Sequence, residues 1–512
     1  MKLTTLRTIF LLFLLSWSVS SAFTQEKIDF FQIRVIDEET DRGVPLIELE
    51  TVNNIRYVTD SNGIVAFYEP GLMHQTVFFS VSGHGYEYPK DGFGMTGVRL
   101  ETIPGGSAEI RIRRKNIAER MYRITGAGIY RDSILTGAEV PIQQPVLNGG
   151  VLGQDSAMAV IYKGDILWLW GDTSRASYPL GNFHMSGATS ALPIHGGLPP
   201  ETGIDLNYFV DENGFSRAMA PMSEEGVVWL DGIINLKNAD GEEQLYAHYS
   251  RLRGLGEPLE HGLMRFDEEK QIFTKWKQLE MENQWRHPRG HVLQIDGEAD
   301  YLYFMNPYPN VRVRAAEESL ADPNAYEGFT CLASGLIFSV TQAKLHRDKE
   351  GNLIYQWRNN VAPIGPREEQ ELIKAGLIKP EEARFLPRDV DSGKVVVMHT
   401  GTVNWNEYRQ KWILIAEEIG GEPSFLGEIW YSESDSATGP WLKAKKIITH
   451  DNYTFYNPVH HPFYDQQGGR FIYFQGTYSK MFSDAPVATP RYDYNQIMYR
   501  LDLSDPGLQL PE

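Results

Sequence analysis

Short apolar runs separated by polar or glycine-containing turns dominate the chain from about residue 28 onward. In residues 28–114 the runs have the length and alternation of β-strands, with turns such as Asp60-Ser61-Asn62-Gly63 between them. The strands predicted in this region are 32–36, 46–49, 64–67, 77–81 and 108–112. The pattern indicates a small antiparallel β-sandwich.

A second pattern occupies residues 148–505. An apolar strand, a turn and an aromatic-rich strand recur five times, with further strand-like segments after each copy. The aromatic-rich strands are 166–170, 244–249, 301–304, 412–415 and 471–474. Repeated hairpins of this kind are typical of radial blades, so we predict an all-β protein with a five-bladed β-propeller preceded by the small β-sandwich.

Two segments interrupt these patterns. Residues 115–147 read as a connector, in which Asn116 is a helix N-cap residue and 116–123 has the pattern of a short helix. Residues 366–385 are rich in Glu, Lys, Leu and Ile and predict a helical insertion. The insertion is either a lid over one face of the propeller or a surface decoration.

The first 22 residues have the order of a signal peptide. Lys2 and Arg7 precede an apolar run at 9–15, and small residues follow up to Ala22, where we expect cleavage. The run is too short to span a bilayer, and no later window is long and apolar enough to do so. We therefore expect a secreted or periplasmic protein without membrane insertion.

Charge and cysteine content exclude several functions. A formal net charge of −19 argues against binding to nucleic acid. Cys331 is the only cysteine, so an internal disulfide and a thiolate-clustered zinc site are excluded. Neither a nucleotide-binding glycine loop nor a serine nucleophile elbow is present, and the sequence implies no cofactor.

The first hairpin of the repeat region carries two aspartates at matched positions. If Lys163-Gly164 is its two-residue turn, Asp155 lies directly opposite Asp172. Like charges on opposed strand positions are destabilising, so a fold with no use for the pair would avoid it. In a propeller the two positions lie at the same rim of the central channel.

Two carboxyl groups so placed titrate as a pair, with one proton held near neutral pH. Glycoside cleavage needs such a pair, because one carboxylic acid protonates the leaving oxygen and the other carboxylate acts as base or nucleophile. Asp155 and Asp172 are therefore the predicted catalytic residues. The alternative is that both are strand-end residues that bond to turn amides or help to hold a structural cation.

Three motifs carry a family resemblance. Gly153-Gln154-Asp155-Ser156, Trp170-Gly171-Asp172-Thr173 and Ala437-Thr438-Gly439-Pro440-Trp441 resemble a family of five-bladed propellers formerly of unknown function that includes endo-D-arabinofuranosidases, glycoside hydrolase family 183. The resemblance covers roughly residues 148–503 and implies that the paired aspartates are catalytic. The N-terminal turns at 59–63 and 83–86 resemble a carboxypeptidase-regulatory-like sandwich, which implies an accessory domain.

Further polar and aromatic residues are predicted at the same rim and are candidates for substrate binding. An aromatic ring beside polar donors can stack on a sugar ring and bind its hydroxyl groups, and an arginine can bind a carboxylate or sulfate. The candidates are Trp285, Arg286, His287, Arg289, His291, Glu417, Asn457 and His460. The alternative for each is a turn residue with its polar atoms bonded to backbone.

Two details of this set stay open in the sequence. Alternation places Glu417 and Glu418 on opposite faces of their strand, without deciding which faces the channel. His460 and His461 also point to opposite faces, so only one can reach a given ion, and we predict no metal site.

The residues favour a glycoside hydrolase whose partner is a polysaccharide or oligosaccharide. A polysaccharide lyase is a second interpretation, in which Arg289 neutralises a uronate and His287, His291 or a tyrosine moves protons. A third is a carbohydrate-binding propeller without catalysis, which keeps the aromatic rim but does not need both aspartates.

Overall fold

A computed structural model describes residues 28–237, 240–295 and 301–511. The predicted signal peptide lies outside the described residues. We predicted an all-β protein, and strands dominate the described chain, with a few short helices among them. None of the described helices is long and apolar enough to cross a membrane.

The strands are β1 (Phe31–Asp37), β2 (Glu48–Thr51), β3 (Arg56–Val58), β4 (Ile64–Phe67), β5 (Thr76–Ser82), β6 (Tyr86–Glu87), β7 (Gly97–Glu101), β8 (Ser107–Arg114), β9 (Glu119–Arg123), β10 (Val151–Gln154), β11 (Met158–Tyr162), β12 (Asp165–Trp170), β13 (Thr173–Arg175), β14 (Tyr178–Asn182), β15 (Ser186–Ala191), β16 (Asn207–Tyr208), β17 (Val227–Lys237), β18 (Glu243–Arg253), β19 (Glu257–Asp267), β20 (Ile272–Leu279), β21 (His291–Gln294), β22 (Tyr301–Met305), β23 (Pro309–Arg314), β24 (Glu327–Thr330), β25 (Gln356–Asn359), β26 (Arg388–Asp389), β27 (Met398–Asn406), β28 (Lys411–Glu418), β29 (Ile429–Ser434), β30 (Lys443–Ile448), β31 (Thr454–His460), β32 (Phe471–Ser479) and β33 (Asn495–Asp502). The α-helices are α1 (Arg131–Thr136), α2 (Glu317–Leu320) and α3 (Pro366–Lys374). Short 3₁₀ turns span Pro70–Leu72, Pro193–His195, Gln284–Arg286, Pro323–Ala325, Val340–Gln342, Pro380–Glu382, Pro462–Tyr464, Gln467–Gly469 and Pro506–Leu508.

The N-terminal region contains two four-stranded sheets, with strand orders β4-β1-β8-β6 and β3-β2-β5-β7. Alternate residues of both sheets, such as Val35, Phe67 and Phe79, are buried in one shared core. The five strands predicted in this region are present. Their pairing is not purely antiparallel as predicted, because β1 and β8 run parallel. The rest of the region connects these two strands, and a parallel pair needs such a long connection.

Five consecutive sheets follow in the chain. The first sheet has the order β11-β12-β15-β16, the second β17-β18-β19-β20, the third β21-β22-β23-β24-β25, the fourth β27-β28-β29-β30-β26 and the fifth β31-β32-β33-β9. The predicted aromatic-rich strands are β12, β18, β22, β28 and β32, the second strand of each sheet. A separate small sheet, β10-β13-β14, flanks the first one.

The first strands of the five sheets, β11, β17, β21, β27 and β31, lie side by side around one central cavity. Residues in each of these strands, or directly beside it, line the cavity. Asn457 Nδ2, on the first strand of the fifth sheet, donates a hydrogen bond to Ser156 Oγ, just before the first strand of the first sheet, at 2.7 Å. This arrangement places residues from five distant parts of the chain around one space.

Residues 116–123 do not form the predicted helix. The structure has strand β9 at Glu119–Arg123, paired antiparallel with β33 at the outer edge of the fifth sheet. The whole strand is buried, with Met121 and Tyr122 packed in the core. The open edge of β33 supplies hydrogen-bond partners along β9, and this tertiary context outweighs the local helix propensity.

Helix α3 lies within the predicted helical insertion, residues 366–385. Pro366 occupies its first turn, and the Glu368 carboxylate accepts a hydrogen bond from the Gly365 N–H at 3.0 Å, which caps the start of the helix. Glu369 is buried and accepts hydrogen bonds from the backbone N–H groups of Arg384 and Phe385. None of the described residues 366–385 lines the central cavity.

The N-terminal region packs against the fifth sheet. Leu46 belongs to the same buried cluster as Tyr453 and other residues around that sheet. Arg120, on β9, is fully buried, and its guanidinium donates to the carbonyl of Pro45 and to the Tyr499 hydroxyl. Tyr492 donates to the carbonyl of Thr59 at 2.7 Å. Buried polar groups around the fifth sheet therefore have backbone carbonyls of the N-terminal region as hydrogen-bond partners.

We predict that two truncations of the N-terminal region will behave differently. A chain starting at Asn116 keeps β9, so it should fold and retain activity, with a lower Tm because Arg120 loses a buried partner. A chain starting at Ala127 lacks β9 and exposes the edge of β33, so it should aggregate or unfold. Circular dichroism melting and size-exclusion chromatography compare the two. Equal behaviour of both chains would contradict a structural role for β9.

Candidate active site

The central cavity has a volume of about 360 Å³ and opens at one end of the five first strands. At the level of this cavity, each first strand has one residue with a positive φ, either within the strand or just before its start. These residues are Ser156 (φ 51°), Gly232 (φ 55°), Gly290 (φ 94°), Gly401 (φ 154°) and Asn457 (φ 51°). The register of β17, β27 and β31 shifts at these points, as in β-bulges. Bulges re-aim the neighbouring side chains, and here they do so around one space.

Close packing explains why three of these positions are glycine. A Cβ atom would lie 2.3 Å from the Met305 carbonyl oxygen at Gly290, and 2.3 Å from the Ile415 carbonyl oxygen at Gly401. At Gly232 it would lie 2.9 Å from the ring of Phe304. No side chain fits at these points without displacing the adjacent strand or ring.

The residue before each positive-φ position faces the site. These residues are Asp155, Asp231, Arg289, Thr400 and Tyr456. The first four line the central cavity, and Tyr456 reaches it by a hydrogen bond to Asp155. One repeated backbone bend thus gathers two carboxyl groups, a guanidinium and two hydroxyl groups.

The register predicted for the aspartate pair is correct. Tyr162 pairs with Asp165 across the Lys163-Gly164 turn, and the ladder continues without a shift to Met158 and Leu169. Beyond the aspartates, Gln154 pairs with Thr173 in the same register. Asp155 and Asp172 are therefore level with each other, in the gap between two sheets, and both line the cavity.

Asp155 has several hydrogen-bond donors around its carboxylate. The Tyr456 hydroxyl donates to Oδ2 at 2.9 Å, and Tyr494, Ser156 and the backbone N–H of Asp172 also donate to the side chain. Burial raises the pKa of Asp155, and these donors oppose that rise because they favour the charged form. Asp155 is thus built to hold a negative charge in a buried place.

Asp172 has the opposite environment. It is 9% exposed, and among the described residues no group bonds to its buried Oδ1. Burial, followed by the charge of Asp155, raises the pKa of Asp172 to about 7. This raised pKa agrees with the prediction that the pair holds one proton near neutral pH. Burial contributes more to the raised pKa than the charge of Asp155 does. Asp172 is therefore suited to carry a proton that it can donate.

Asp231 is a third cavity-lining acid, and it was not predicted from the sequence. It lies at the bulge of β17, and its Oδ1 accepts a hydrogen bond from the Gly290 N–H at 3.1 Å. Burial raises the pKa of Asp231 to about 6, against the lowering effects of this hydrogen bond and of Arg289. Its position in the sequence could have indicated this role. Asp231 precedes Gly232 in a first strand, as Asp155 precedes Ser156.

Glu417 lies directly behind the cavity wall. It is fully buried and accepts a hydrogen bond from the hydroxyl of Thr400, which does line the cavity. Burial raises the pKa of Glu417 to about 8, so the group is protonated at neutral pH. Glu418 points to the other face of β28 and accepts a hydrogen bond from Trp430 Nε1 at 2.9 Å. Glu417 is thus the glutamate on the channel side.

Of the other predicted substrate-binding residues, Arg289, His291 and Asn457 line the central cavity. Burial lowers the pKa of His291 to about 4, so its imidazole is neutral near pH 7. Asn457 uses its amide to bond to Ser156. Trp229, which was not predicted from the sequence, adds an aromatic face to the lining and packs edge-on against Phe183.

Trp285, Arg286 and His287 are not among the cavity-lining residues. The 3₁₀ turn at Gln284–Arg286 directs them into the protein wall. Trp285 Nε1 donates to the Leu336 carbonyl at 2.8 Å, and His287 Nε2 donates to the Glu280 carbonyl at 2.6 Å. Arg286 bonds to two asparagine side chains, Asn324 and Asn360.

His460 lies in a second cavity, of about 1020 Å³, at the opposite end of the first strands. Its Nε2 contacts the Asp465 carboxylate at 2.8 Å, whereas the adjacent His461 bonds to Gln475. The two rings have different partners, as alternation along a strand predicts. In the described part of the chain, no three His, Cys, Asp or Glu side chains are grouped so that they could hold a metal ion.

A larger groove, of about 1180 Å³, lies between the N-terminal region and the fifth sheet. Most acids that line it are in ion pairs, namely Glu48 with Arg56, Glu87 with Arg113, Glu109 with Arg111 and Asp451 with His84. Paired, solvated carboxylates are poor proton donors. The central cavity, with its desolvated acids, is therefore the better candidate for chemistry despite its smaller volume.

No family model matches this chain, and no curated protein matches it in sequence. Among solved structures, it is similar to a protein of unknown function from Dyadobacter fermentans, with 9% identity and a TM-score of 0.39 over 75% of this chain and 98% of that chain. A GH43_1 enzyme from Xanthomonas citri complexed with xylotriose has 11% identity and a TM-score of 0.35, over 70% and 88% of the two chains.

A putative exo-β-1,3-galactanase from Bifidobacterium bifidum has 10% identity and a TM-score of 0.35, over 76% of this chain and 94% of that chain. At these identities and TM-scores, the similarity carries no argument about the chemistry of the central cavity. The resemblance to the family that includes endo-D-arabinofuranosidases stays a prediction.

We predict that Gly171→Ala will abolish most activity while leaving the fold intact. A Cβ at Gly171 would lie 2.1 Å from Asp155 Oδ1, so the carboxylate must move away from its donors. Misplacement of a reacting group by about 1 Å can reduce the rate by about 10²-fold. The Tm should change little, because the displaced atom ends a flexible side chain.

Gly92→Ala is the matched control, since nothing lies within 4 Å of a Cβ at that position. Kinetic assay and thermal melting of both variants test the prediction. Normal turnover of the Gly171 variant would mean that the observed position of Asp155 is not needed for activity.

Proposed function

We propose that this protein is a glycoside hydrolase that cleaves a polysaccharide or oligosaccharide outside the cytoplasm. Asp172 is the general acid, and Asp155 is the base or nucleophile. Residues 1–22 act as the secretion signal in this proposal. No cofactor takes part.

One observation carries the proposal, namely the contrast between two level carboxyl groups in the same cavity. Asp155 receives four hydrogen-bond donors, whereas Asp172 is desolvated and has a pKa of about 7. Environments that push two carboxyl pKa values apart assign one acid and one base. This is the division of roles that glycoside cleavage requires.

The proposal extends to the architecture. The five sheets around the central cavity are the blades of a five-bladed β-propeller, with β9 completing the fifth blade. The two N-terminal sheets form an accessory sandwich of the carboxypeptidase-regulatory-like type. Support comes from the five first strands, whose residues line one cavity, and from the shared core of the N-terminal sheets.

Asp231 and Trp229 are assigned to substrate positioning. Trp229 offers a ring face on which a sugar can stack, and Asp231 can accept a hydrogen bond from a sugar hydroxyl. Both are on β17, beside the bulge at Gly232. Their place between the aspartate pair and Arg289 suits a sugar that spans the cavity.

A polysaccharide lyase is the second candidate, and Arg289 and His291 favour it. Both line the cavity from the third sheet, and the neutral imidazole of His291 can accept a proton. In this mechanism Arg289 neutralises a uronate carboxylate while His291 removes the adjacent proton. The aspartate pair would then have no direct part in bond cleavage.

A glycan panel separates the candidates. The protein is incubated with neutral glycans, D-arabinan among them, and with uronate-containing and sulfated glycans. Reducing ends and the absorbance of unsaturated uronate are followed together. New reducing ends alone support hydrolysis, both signals together support a lyase, and binding without either signal supports a non-catalytic carbohydrate-binding protein.

We predict that Asp155→Asn and Asp172→Asn will each lower kcat by at least about 10²-fold, the contribution of a positioned acid or base. The amide keeps the shape of the side chain but neither donates nor accepts the catalytic proton. The double variant should be little worse than the worse single variant, because the two groups act as one unit. The Tm of the Asp172→Asn variant should hold, because Asp172 is already partly protonated near neutral pH and no described group bonds to its buried Oδ1.

Asp165→Asn is the matched control, because Asp165 lies in the same hairpin but is exposed at its far end. Steady-state kinetics and melting curves are measured for all four variants. If either cavity variant turns over at the rate of the control, the assignment of the pair is wrong.

We predict a bell-shaped dependence of kcat/KM on pH. Activity should fall above about pH 7, where Asp172 loses the proton that it must donate. It should also fall at low pH, where Asp155 becomes protonated. Tyr456→Phe removes a donor to the charged form of Asp155, so the acidic limb should move to higher pH while the alkaline limb stays in place.

Rate profiles of the wild type and the Tyr456→Phe variant on one substrate check this prediction. Movement of the alkaline limb alone would reverse the roles assigned to the two aspartates.

A further inference from the structure

The polar residues of the central cavity divide into two groups. Beside the first and fifth sheets, the polar groups bond to one another. Asn457 donates to the Ser156 hydroxyl, and Ser156 and Tyr456 donate to the Asp155 carboxylate. On the third sheet, Arg289, His291 and Asn306 also line the cavity. In the described part of the structure, the side chains of these three form no hydrogen bond or ion pair.

The three residues are neighbours. His291 pairs with Met305 across the β21–β22 ladder, and Asn306 follows Met305 in the chain. The side chain of Asn306 also packs beside Gly290, the residue that separates Arg289 from His291 in the chain. We name this group, Arg289, His291 and Asn306, the third-sheet cluster. It presents free guanidinium, imidazole and amide groups to one side of the cavity.

Arg289 is the one arginine or lysine among the described lining residues, which include three aspartates. It lowers the pKa of Asp231 through its charge, yet no ion pair within 4.0 Å joins the two side chains in the described structure. Asp231 is instead held by the Gly290 N–H. The guanidinium, which is exposed at the cavity edge, thus keeps its donors available for a ligand.

The three aspartates do not exclude an anion from this cavity. Burial raises the pKa of Asp172 to about 7 and that of Asp231 to about 6, so both groups are partly protonated near neutral pH. The net charge beside Arg289 is then less negative than the residue count suggests. A guanidinium fork matches the geometry of a carboxylate or sulfate group and binds it with two parallel hydrogen bonds.

We propose that the third-sheet cluster is a subsite for an anionic sugar, in which Arg289 binds a carboxylate or sulfate group of the substrate. This rests on the proposed function and specifies its substrate class. The sugar would stack on Trp229 with its anionic group toward Arg289 and Asn306, and its glycosidic oxygen toward Asp172. Neutral sugars would leave the guanidinium unpaired.

The test uses glycan pairs that differ in charge, namely uronate oligosaccharides with their methyl esters and sulfated oligosaccharides with their desulfated forms. Wild-type protein should cleave one anionic member at least about tenfold more efficiently than its neutral partner, the scale of one charged hydrogen bond. Preference for the uronate or for the sulfated member identifies the anionic group. Cleavage of neutral members only would overturn this inference and leave the proposed hydrolase intact.

Arg289→Gln should raise KM for the anionic member at least about tenfold more than it raises KM for the neutral member. Arg289→Lys should restore part of the loss, because lysine keeps the charge but not the fork. Arg314→Gln, an exposed arginine on β23 of the same sheet, is the control. Equal losses on both members would make Arg289 a positioning residue for Asp231 and overturn the subsite.

A binding measurement distinguishes failure of the anionic subsite from failure of the proposed hydrolase function. The Asp172→Asn protein is titrated with the same pairs by calorimetry. Selective binding of the anionic member without any wild-type cleavage would support the subsite and contradict the hydrolase. An absence of both binding and cleavage throughout the panel would overturn both proposals.

Discussion

A backbone bend repeated at one level of five neighbouring strands is the constraint on which the site depends. Each bend is a residue with positive φ, and the side chain before it is turned toward the central cavity. Three of the five are glycines whose missing side chains let an adjacent strand or ring approach closely. Without the bends, regular alternation along β17 or β27 would give these strands a different set of inward side chains.

Desolvation and hydrogen bonding act to different extents on the carboxyl groups in and behind the cavity wall. Asp155, Asp172, Asp231 and Glu417 are all carboxyl groups in or behind one cavity wall, and burial raises the pKa of each. They differ in how many donors oppose the effect of burial, from four at Asp155 to none at Asp172. Small differences in local bonding therefore produce groups with different protonation at the same pH.

Sequence patterns predicted the features that depend on local chemistry. The turn at Lys163-Gly164 sets the register of its hairpin, so the facing aspartates followed from the spacing alone. The aromatic-rich strands were also recognisable, because a buried strand must be apolar over several consecutive residues. These predictions needed no knowledge of distant parts of the chain.

The missed residues depend on contacts that spacing does not encode. Asp231 lies in an apolar strand whose bulge is visible only once β18 is paired with it. Tyr494 comes from a loop far along the chain, and β9 is a strand because β33 offers it an edge. Trp285 and His287 are close in sequence to Arg289, but a 3₁₀ turn directs them into the wall.

The pairing of β9 with β33 has a consequence for how the protein is made. An early segment of the chain is the outer strand of the last sheet, and Asp155 receives its hydrogen bond from Tyr456, 301 residues later. During synthesis, neither the sheet nor the site can be completed until the C-terminal strands have emerged. A chain still bound to the ribosome therefore lacks an assembled site, and the grouping of acids arises only after β9 has paired with β33 and Tyr456 has reached Asp155.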